Sequence, residues 1–336
     1  MKHYPLIILL AIGFFLSCEQ KSQETVIAFG SCSHESDTAQ LWNQILAQQP
    51  AAWIWMGDNI YGDTYDMELM RSKYHTQKSR PAYQKLIQST EIYGVWDDHD
   101  YGINDGGKEY RMKDESKLLM LDFLDVPETN EVYTRSGAYQ SYEIQRDGLT
   151  IKLILLDTRY FRDTLKVNIN RPPLYHPNTE GTILGGQQWL WLEQELSGST
   201  ADIHLIGSSI QLIPNDHGYE MWGNFPGERQ RFFDLLKKTS PSRPIILSGD
   251  RHIAEFSKID LDGLAYPLYE FTSSGLTHTW SLGGTEKNTY RVGDLIISKN
   301  FGIIEIEHND DKSIVHINLK IIDDNNQVLQ QSQLVY

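Results

Sequence analysis

Five short apolar runs, each closed by a cluster of polar residues, constrain this chain more than any other feature. They read VIAF (26–29), AWIWM (52–56), IYGVW (92–96), LILL (153–156) and IIL (245–247). Each is too short for a stable helix and too continuously apolar to have a solvated face. Each therefore reads as a strand covered on both sides. Segments with helical spacing lie between them. In 38–49, Leu41, Trp42, Ile45 and Leu46 fall on one face. Residues 67–86 continue the helical pattern with a break near Pro81, followed by helices over 113–124, 187–196 and 228–238. A further strand is expected over 203–206. Residues 163–185, rich in Pro, Asn, Gly and Thr, read as a long loop, which is more often functional than idle. From Ser257 the pattern turns to alternation, as in 303–306 and 315–319, which predicts antiparallel pairing. Strands alternating with helices, then a strand-rich tail, predict an α/β fold layered around a mixed sheet, with a single domain over 25–336.

The polar clusters carry the chemistry. The runs end in Gly30-Ser31-Cys32-Ser33-His34, in Gly57-Asp58-Asn59-Ile60-Tyr61-Gly62-Asp63, in Asp97-Asp98-His99-Asp100, in Asp157-Thr158-Arg159 and in Ser248-Gly249-Asp250-Arg251-His252. Ligand sites of open α/β sheets lie at the carboxyl ends of the strands, so these segments should meet at one rim. Three carboxylates and an imidazole in four consecutive positions repel one another and prefer water to an interior. A multivalent cation among them reverses that repulsion. Thiolate, phenolate, imidazole and carboxylate together suit a transition metal beside a harder cation. The formal charge of −15 weighs against a nucleic-acid surface.

The amino terminus reads as an export signal. Residues 5–16 are almost wholly apolar, the length of a signal-peptide core, and end at Phe15-Leu16-Ser17-Cys18. That ending is similar to a bacterial lipoprotein cleavage box. It implies a signal peptide over 1–17, a lipidated Cys18 followed by a linker to residue 24, and a periplasmic or cell-surface location. The membrane is then a partner through the lipid anchor. The chain has two cysteines, so lipidation of Cys18 leaves Cys32 with no intramolecular partner.

In order, spacing and strand context, the polar clusters resemble the alkaline phosphatase D (PhoD-type) branch of the metallophosphatases, within the calcineurin-like and purple-acid-phosphatase superfamily. The resemblance runs from about residue 29 to about 271 and also takes in Asp216, Trp222, Gly223 and Glu228-Arg229-Gln230. It implies a four-layer αββα sandwich of mixed sheets and a monomer. It also implies a centre of Fe3+ and Ca2+, with Mn2+ or Mg2+ as alternatives. Asp58 would bridge two ions, Cys32 and Tyr61 would bind the more highly charged one, and Asp250 and His252 would complete the site. Asp98 would lie near calcium. Asp97 would be either a ligand or a supporting group, and Asn104 a further oxygen donor. His99 would protonate a leaving group or stabilise charge on the phosphate, or else only orient Asp98 or Asp250. Arg159 would clamp phosphate oxygens, or else pair with Asp157.

The implied reaction is phosphate-ester hydrolysis by a metal-bound hydroxide, with small-molecule or lipid phosphate esters as substrates. A phosphodiesterase of phospholipase D-like or nucleotide type is the alternative within enzymes. A non-catalytic calcium-binding lipoprotein is the alternative outside them. EF-hand spacing from Asp97 fails, because His99 and Tyr101 stand where oxygen ligands are required.

Overall fold

The structure is a computed structural model that describes residues 23–170, 175–280, 286–309, 311–312 and 315–336. The expected signal peptide and Cys18 lie outside the described residues. In chain order the strands are β1 (Gln23–Gly30), β2 (Ala52–Met56), β3 (Glu91–Val95), β4 (Gln140–Arg146), β5 (Leu149–Leu155), β6 (Lys166–Val167), β7 (Tyr175–His176), β8 (Ile203–Gly207), β9 (Pro244–Ser248), β10 (Ala254–Ile259), β11 (Leu268–Ser273), β12 (Arg291–Ile296), β13 (Phe301–His308), β14 (Val315–Ile322) and β15 (Val328–Val335). The helices are α1 (Trp42–Ala47), α2 (Met67–Lys78), α3 (Pro81–Ser89), α4 (Asp98–Tyr101), α5 (Lys113–Phe123), α6 (Gly185–Leu196) and α7 (Pro226–Thr239).

Two mixed sheets face each other. One has the order β15-β14-β13-β1-β2-β3, the other β12-β10-β11-β9-β8-β5-β4. The parallel cores are β1-β2-β3 in the first sheet and β5-β8-β9-β11 in the second. Antiparallel strands flank both cores.

Alternation along each strand decides what it touches. On β2, Trp53 and Trp55 turn outward to Trp42 of α1, and Trp55 also meets Tyr83 of α3 and Phe123 of α5. Between the sheets, Phe29 of β1 meets Phe271 of β11 edge-on at 4.7 Å. On the far face of the second sheet, Ile154, Ile206 and Ile246 pack with Trp189 and Leu192 of α6 and with Phe232 and Leu236 of α7. The layers are thus helix, sheet, sheet, helix. All these strand residues are fully buried, and each large apolar side chain so placed contributes roughly 1.5–3 kcal/mol relative to exposure.

Local chemistry sets the element ends. The Asp66 carboxylate accepts from the N–H groups of Glu68 and Leu69 and starts α2. Pro81 opens α3 at its first turn, which is where the sequence pattern breaks. The Glu228 carboxylate accepts from the Trp189 Nε1–H at 2.9 Å and the Ile183 N–H at 2.8 Å, fastening α7 to the start of α6.

One expectation is corrected here. The chain after Ser257 is not purely antiparallel. β11 pairs parallel with β9, so it delivers its carboxyl end to the same rim as the other parallel strands. The alternation of β13 and β14 dominates the tail and masks this strand. The long loop over 163–185 also carries structure, the two-residue ladder of β6 and β7.

Candidate metal centre

The loops that follow β1, β2, β3, β5, β9 and β11 converge at one end of the two sheets. The turn after β2 is built around Asp100 on α4. Its carboxylate accepts from the backbone N–H of Asp58 (3.1 Å), Asn59 (3.3 Å) and Asp97 (2.7 Å), and from the Asn59 side-chain amide (2.6 Å). Asp100 is therefore spent on holding the β2 and β3 turns together. Gly57 enters that turn with φ +91, and a Cβ there would lie 2.3 Å from the Asp97 Cβ. The candidate ligands Cys32, Asp58, Asp250 and His252 all sit at positive φ, between 50 and 67. Four non-glycine residues in a sparsely populated region mark a site whose backbone is held by its surroundings.

Three groupings can each hold a metal ion: Cys32 with Asp58 and His252, Asp58 with Asp98 and His99, and Asp97 with Asp98 and Asp250. Within each, one ligand atom per residue lies within 4.8 Å of the others. Asp58 belongs to two groupings and Asp98 to two. Tyr61 joins the first. Its hydroxyl is 3.0 Å from His252 Nε2 and donates to Asp58 Oδ2 at 3.5 Å, and the Cys32 thiol donates to the same oxygen at 3.4 Å. Cys32, Asp58, Asp97, Asp98, His99, Asp250 and His252 are thus brought together at one rim. Asn104 is exposed and lines the same cleft as Asp98, His99, Asp250 and His252, its amide donating to Asp105 Oδ2 at 2.9 Å. His34 stacks on the Tyr61 ring at 5.0 Å and belongs to none of the groupings.

The donor set fits cations. Asp97 Oδ2, Asp98 Oδ1 and Asp250 Oδ2 are buried and accept no hydrogen bond among the described residues. Three orphaned carboxylate oxygens in one grouping are costly unless a positive charge completes them. Burial, with the neighbouring carboxylates adding to it, pushes the Asp58, Asp97 and Asp250 carboxyls well above the usual range. Burial and then Asp58 push the Cys32 thiol up as well. Asp98 differs. Burial works against its charge, but Arg159 and His99 hold it down at about 2. Burial, aided by His278 and Arg251, lowers His252 to about 3, so its imidazole is neutral and has a lone pair to give.

His99 lines the cleft, and its Nδ1 contacts the Asp63 carboxylate at 2.8 Å. Burial disfavours its protonation, but Asp58, Asp98 and Asp63 outweigh burial and raise it to about 11. Its main-chain N–H also donates to Asp58 Oδ1 at 3.4 Å. Asp63 stands in the stretch that supplies Asp58, yet no spacing rule marks it as the partner of His99.

Arg159 occupies a different place from the one expected. Its side chain has no exposure and does not line the cleft. Nε donates to Asp97 Oδ1 at 2.6 Å and Nη1 to Glu220 Oε2 at 2.6 Å, while Nη2 lies 3.9 Å from Asp98 Oδ1. Buried carboxylates claim the fork that was expected to grip phosphate. Only its main-chain N–H contacts Asp157. The arginine that does reach the cleft is Arg251, the middle residue of Asp250-Arg251-His252.

Sequence reasoning also missed His278 and Trp280, because β11 carries no clear period to mark it as a parallel strand. His278 Nε2 lies 3.0 Å from the Tyr61 hydroxyl, and Trp280 forms part of the cleft wall.

Comparison with known proteins bears on the family and the fold. Alkaline phosphatase D of Bacillus subtilis (strain 168) is 26% identical over 236 residues, which is 60% of this chain and 36% of that protein. The chain therefore spans little more than a third of its relative's length. The solved structure of PhoD superposes with a TM-score of 0.71 at 16% identity, over 94% of this chain and 70% of that one. At that identity the likeness is one of fold, and it is the layered fold described above. A 5'-nucleotidase precursor from Thermus thermophilus gives a TM-score of 0.37 at 9% identity, over 93% of this chain and 54% of that one, too loose to bear on the site. The family described as PhoD-like phosphatase matches residues 124–320, more than half of the chain, including Arg159, Asp250 and His252. With that match, and with the loops of both sheets meeting at one rim, the chain belongs to the PhoD-like phosphatase family.

Proposed function

We propose that the chain hydrolyses phosphate esters with the help of at least two bound cations. The observation that carries this reading is the sharing of Asp58 between two ligand groupings, next to three orphaned carboxylate oxygens. Cys32, Asp58, Tyr61 and His252 would hold the more highly charged ion, iron, because thiolate and phenolate bring neutralising charge. Asp97, Asp98 and Asp250, with Asn104 in the same cleft, would hold calcium, a cation suited to oxygen donors. Bound there, the ions supply Lewis acidity towards phosphoryl oxygens and lower the pKa of water.

The chain's own residues do the rest. Asp63 engages His99 Nδ1, and the imidazole lines the cleft. Placed there, His99 would donate a hydrogen bond or a proton to an ester oxygen as it departs. Arg159 acts through Asp97 and Asp98, fixing their orientation from behind. Arg251 is buried, its fork held by Glu286 and its face against Tyr219, and so supports the cleft wall. We further propose export as a lipoprotein anchored through Cys18. No helix among the described residues is long and apolar enough to cross a membrane, and mass spectrometry of the mature amino terminus tests the anchor.

Initial rates on p-nitrophenyl phosphate and bis-p-nitrophenyl phosphate, with iron and calcium supplied, test the reaction. Faster monoester cleavage is expected. Faster diester cleavage moves the substrate to a phosphodiester with the same residues, and no cleavage of either overturns the hydrolase reading.

A further inference from the structure

One wall of the cleft differs from the others. The side made by Asp98, Asp105 and Glu220 is acidic. The side made by Tyr219 and Trp280 is aromatic. Trp280 is 42% exposed, although it stands within a concavity and beside a candidate ligand. Its ring lies 5.7 Å from that of His252 and 6.4 Å from that of Tyr219, inclined to Tyr219 by 30°. Its main-chain N–H donates to the His252 carbonyl at 3.1 Å, so the wall is tied to the turn that presents His252. Behind Tyr219 the Arg251 guanidinium lies 4.0 Å from the ring centroid, and Glu286 holds that guanidinium through contacts of 3.2 and 2.9 Å. The wall is therefore set before anything binds.

We propose that Trp280 and Tyr219 receive the organic arm of the substrate, and that this arm is a flat, uncharged ring, a phenyl or a nucleobase. The inference rests on the phosphoester reading for the phosphoryl end and adds the chemistry of the other end. An exposed indole keeps its hydrophobic and stacking surface unused until a ring covers it. Base-on-aromatic stacking is strong and tolerant of which ring is offered. Asp98 and Glu220 already face Arg159, and no unpaired arginine or lysine among the described lining residues is placed to receive a second anionic group on the arm. A cationic arm finds a face of the Tyr219 ring already taken by Arg251. The cleft encloses about 190 Å3, below the range of pockets that engulf a drug-sized ligand, so it takes one compact arm.

The test uses the full chain supplied with iron and calcium, and the variants Trp280→Ala and Trp280→Phe. Four monoesters are compared: phenyl phosphate, thymidine 5'-phosphate, glycerol 2-phosphate and phosphocholine. Intrinsic reactivity cancels when each variant is divided by wild type. In Trp280→Ala, the kcat/KM preference for the better ring-bearing ester over glycerol 2-phosphate should fall about tenfold, mostly through KM, as loss of one stacked ring predicts. Whichever ring ester suffers identifies the source of the ring. Trp280→Phe should restore the preference to within about threefold, since a flat face remains. Equal losses on all four esters make Trp280 a structural residue and overturn the inference. A loss largest on phosphocholine makes the wall a cation site and overturns it as well.

Calorimetric binding of phenylphosphonate against methylphosphonate separates this inference from the reaction. Tighter phenylphosphonate binding that Trp280→Ala abolishes upholds the aromatic wall even if no ester is cleaved. Equal binding of the two overturns it.

Discussion

Asp58 tests the candidate centre most directly, because its two oxygens serve two groupings. Asp58→Asn keeps the shape and removes the charge. Asn is also among the few residue types at ease at a φ of +50. The variant should therefore keep its far-UV circular dichroism and lose turnover by on the order of a thousandfold. Wild-type rates from that protein refute the assignment of the whole centre. Arg159 makes the opposite kind of prediction. With no exposure and with ion pairs to Asp97 and Glu220, it neutralises charges that cannot reach water. Arg159→Met should cost about 3–5 kcal/mol of folding stability, read from denaturant midpoints, because it strands buried carboxylates. Cys32, Asp58, Tyr61, Asp97, Asp98, Asp250 and His252 were legible because each follows an apolar run at a strand's carboxyl end. The partners Asp63 and Glu220 were not. A hydrogen bond between loops leaves no period in the sequence, and only folding shows that Glu220 shares Arg159 with Asp97.

Turns and strands, more than single side chains, set where the ligands stand. Gly57 is the clearest case: any Cβ there meets Asp97 and adopts an unfavourable φ. Gly57→Ala should lower stability by at least about 1–3 kcal/mol. It should also weaken metal retention, measured by metal content after gel filtration. β11 contributes through Glu270, whose carboxylate accepts from the N–H groups of Leu212 (2.9 Å) and Ile213 (2.6 Å). Burial raises this carboxyl from 4.5 to about 7 despite those hydrogen bonds. A raised acid stabilises the fold below its unfolded value, and that contribution fades as pH climbs through about 7. Glu270→Gln should therefore gain on wild type by about 3 kcal/mol between pH 4.5 and pH 8. Matched denaturation series at the two pH values measure it, and a constant difference between the proteins refutes it. The helices and the parallel strands were readable from periodicity and apolar runs. β4 and β11 were not, since Gln140–Arg146 and Leu268–Ser273 mix polar and apolar residues without a clear period, and pairing with β5 and β9 overrides their weak local signal.

At the scale of the whole molecule, the two sheets share one rim, and the proposed cations would join them. Cys32, Asp58, Asp97 and Asp98 come from the first sheet, while Asp250 and His252 come from the second. Removing metal with a chelator should lower the melting temperature by several degrees, because ions that bind only the folded chain stabilise it by mass action. Adding iron and calcium back should restore it, and an unchanged melting temperature refutes the proposed centre. The layered architecture was legible as a class, because alternating strands and helices permit few arrangements. That there are two sheets, and which strands belong to each, depends on register and long-range contacts that no local window contains.

The same division between sheets bears on provenance. While the chain is being made, its early half already carries the Asp58, Asp98 and His99 grouping, but the groupings that need Asp250 or His252 stay open until the turn after β9 is in place. An unfinished chain therefore lacks the full donor set of either proposed ion. On the proposed assignment, the ions present when the second sheet docks would be the ones available to fill the centre.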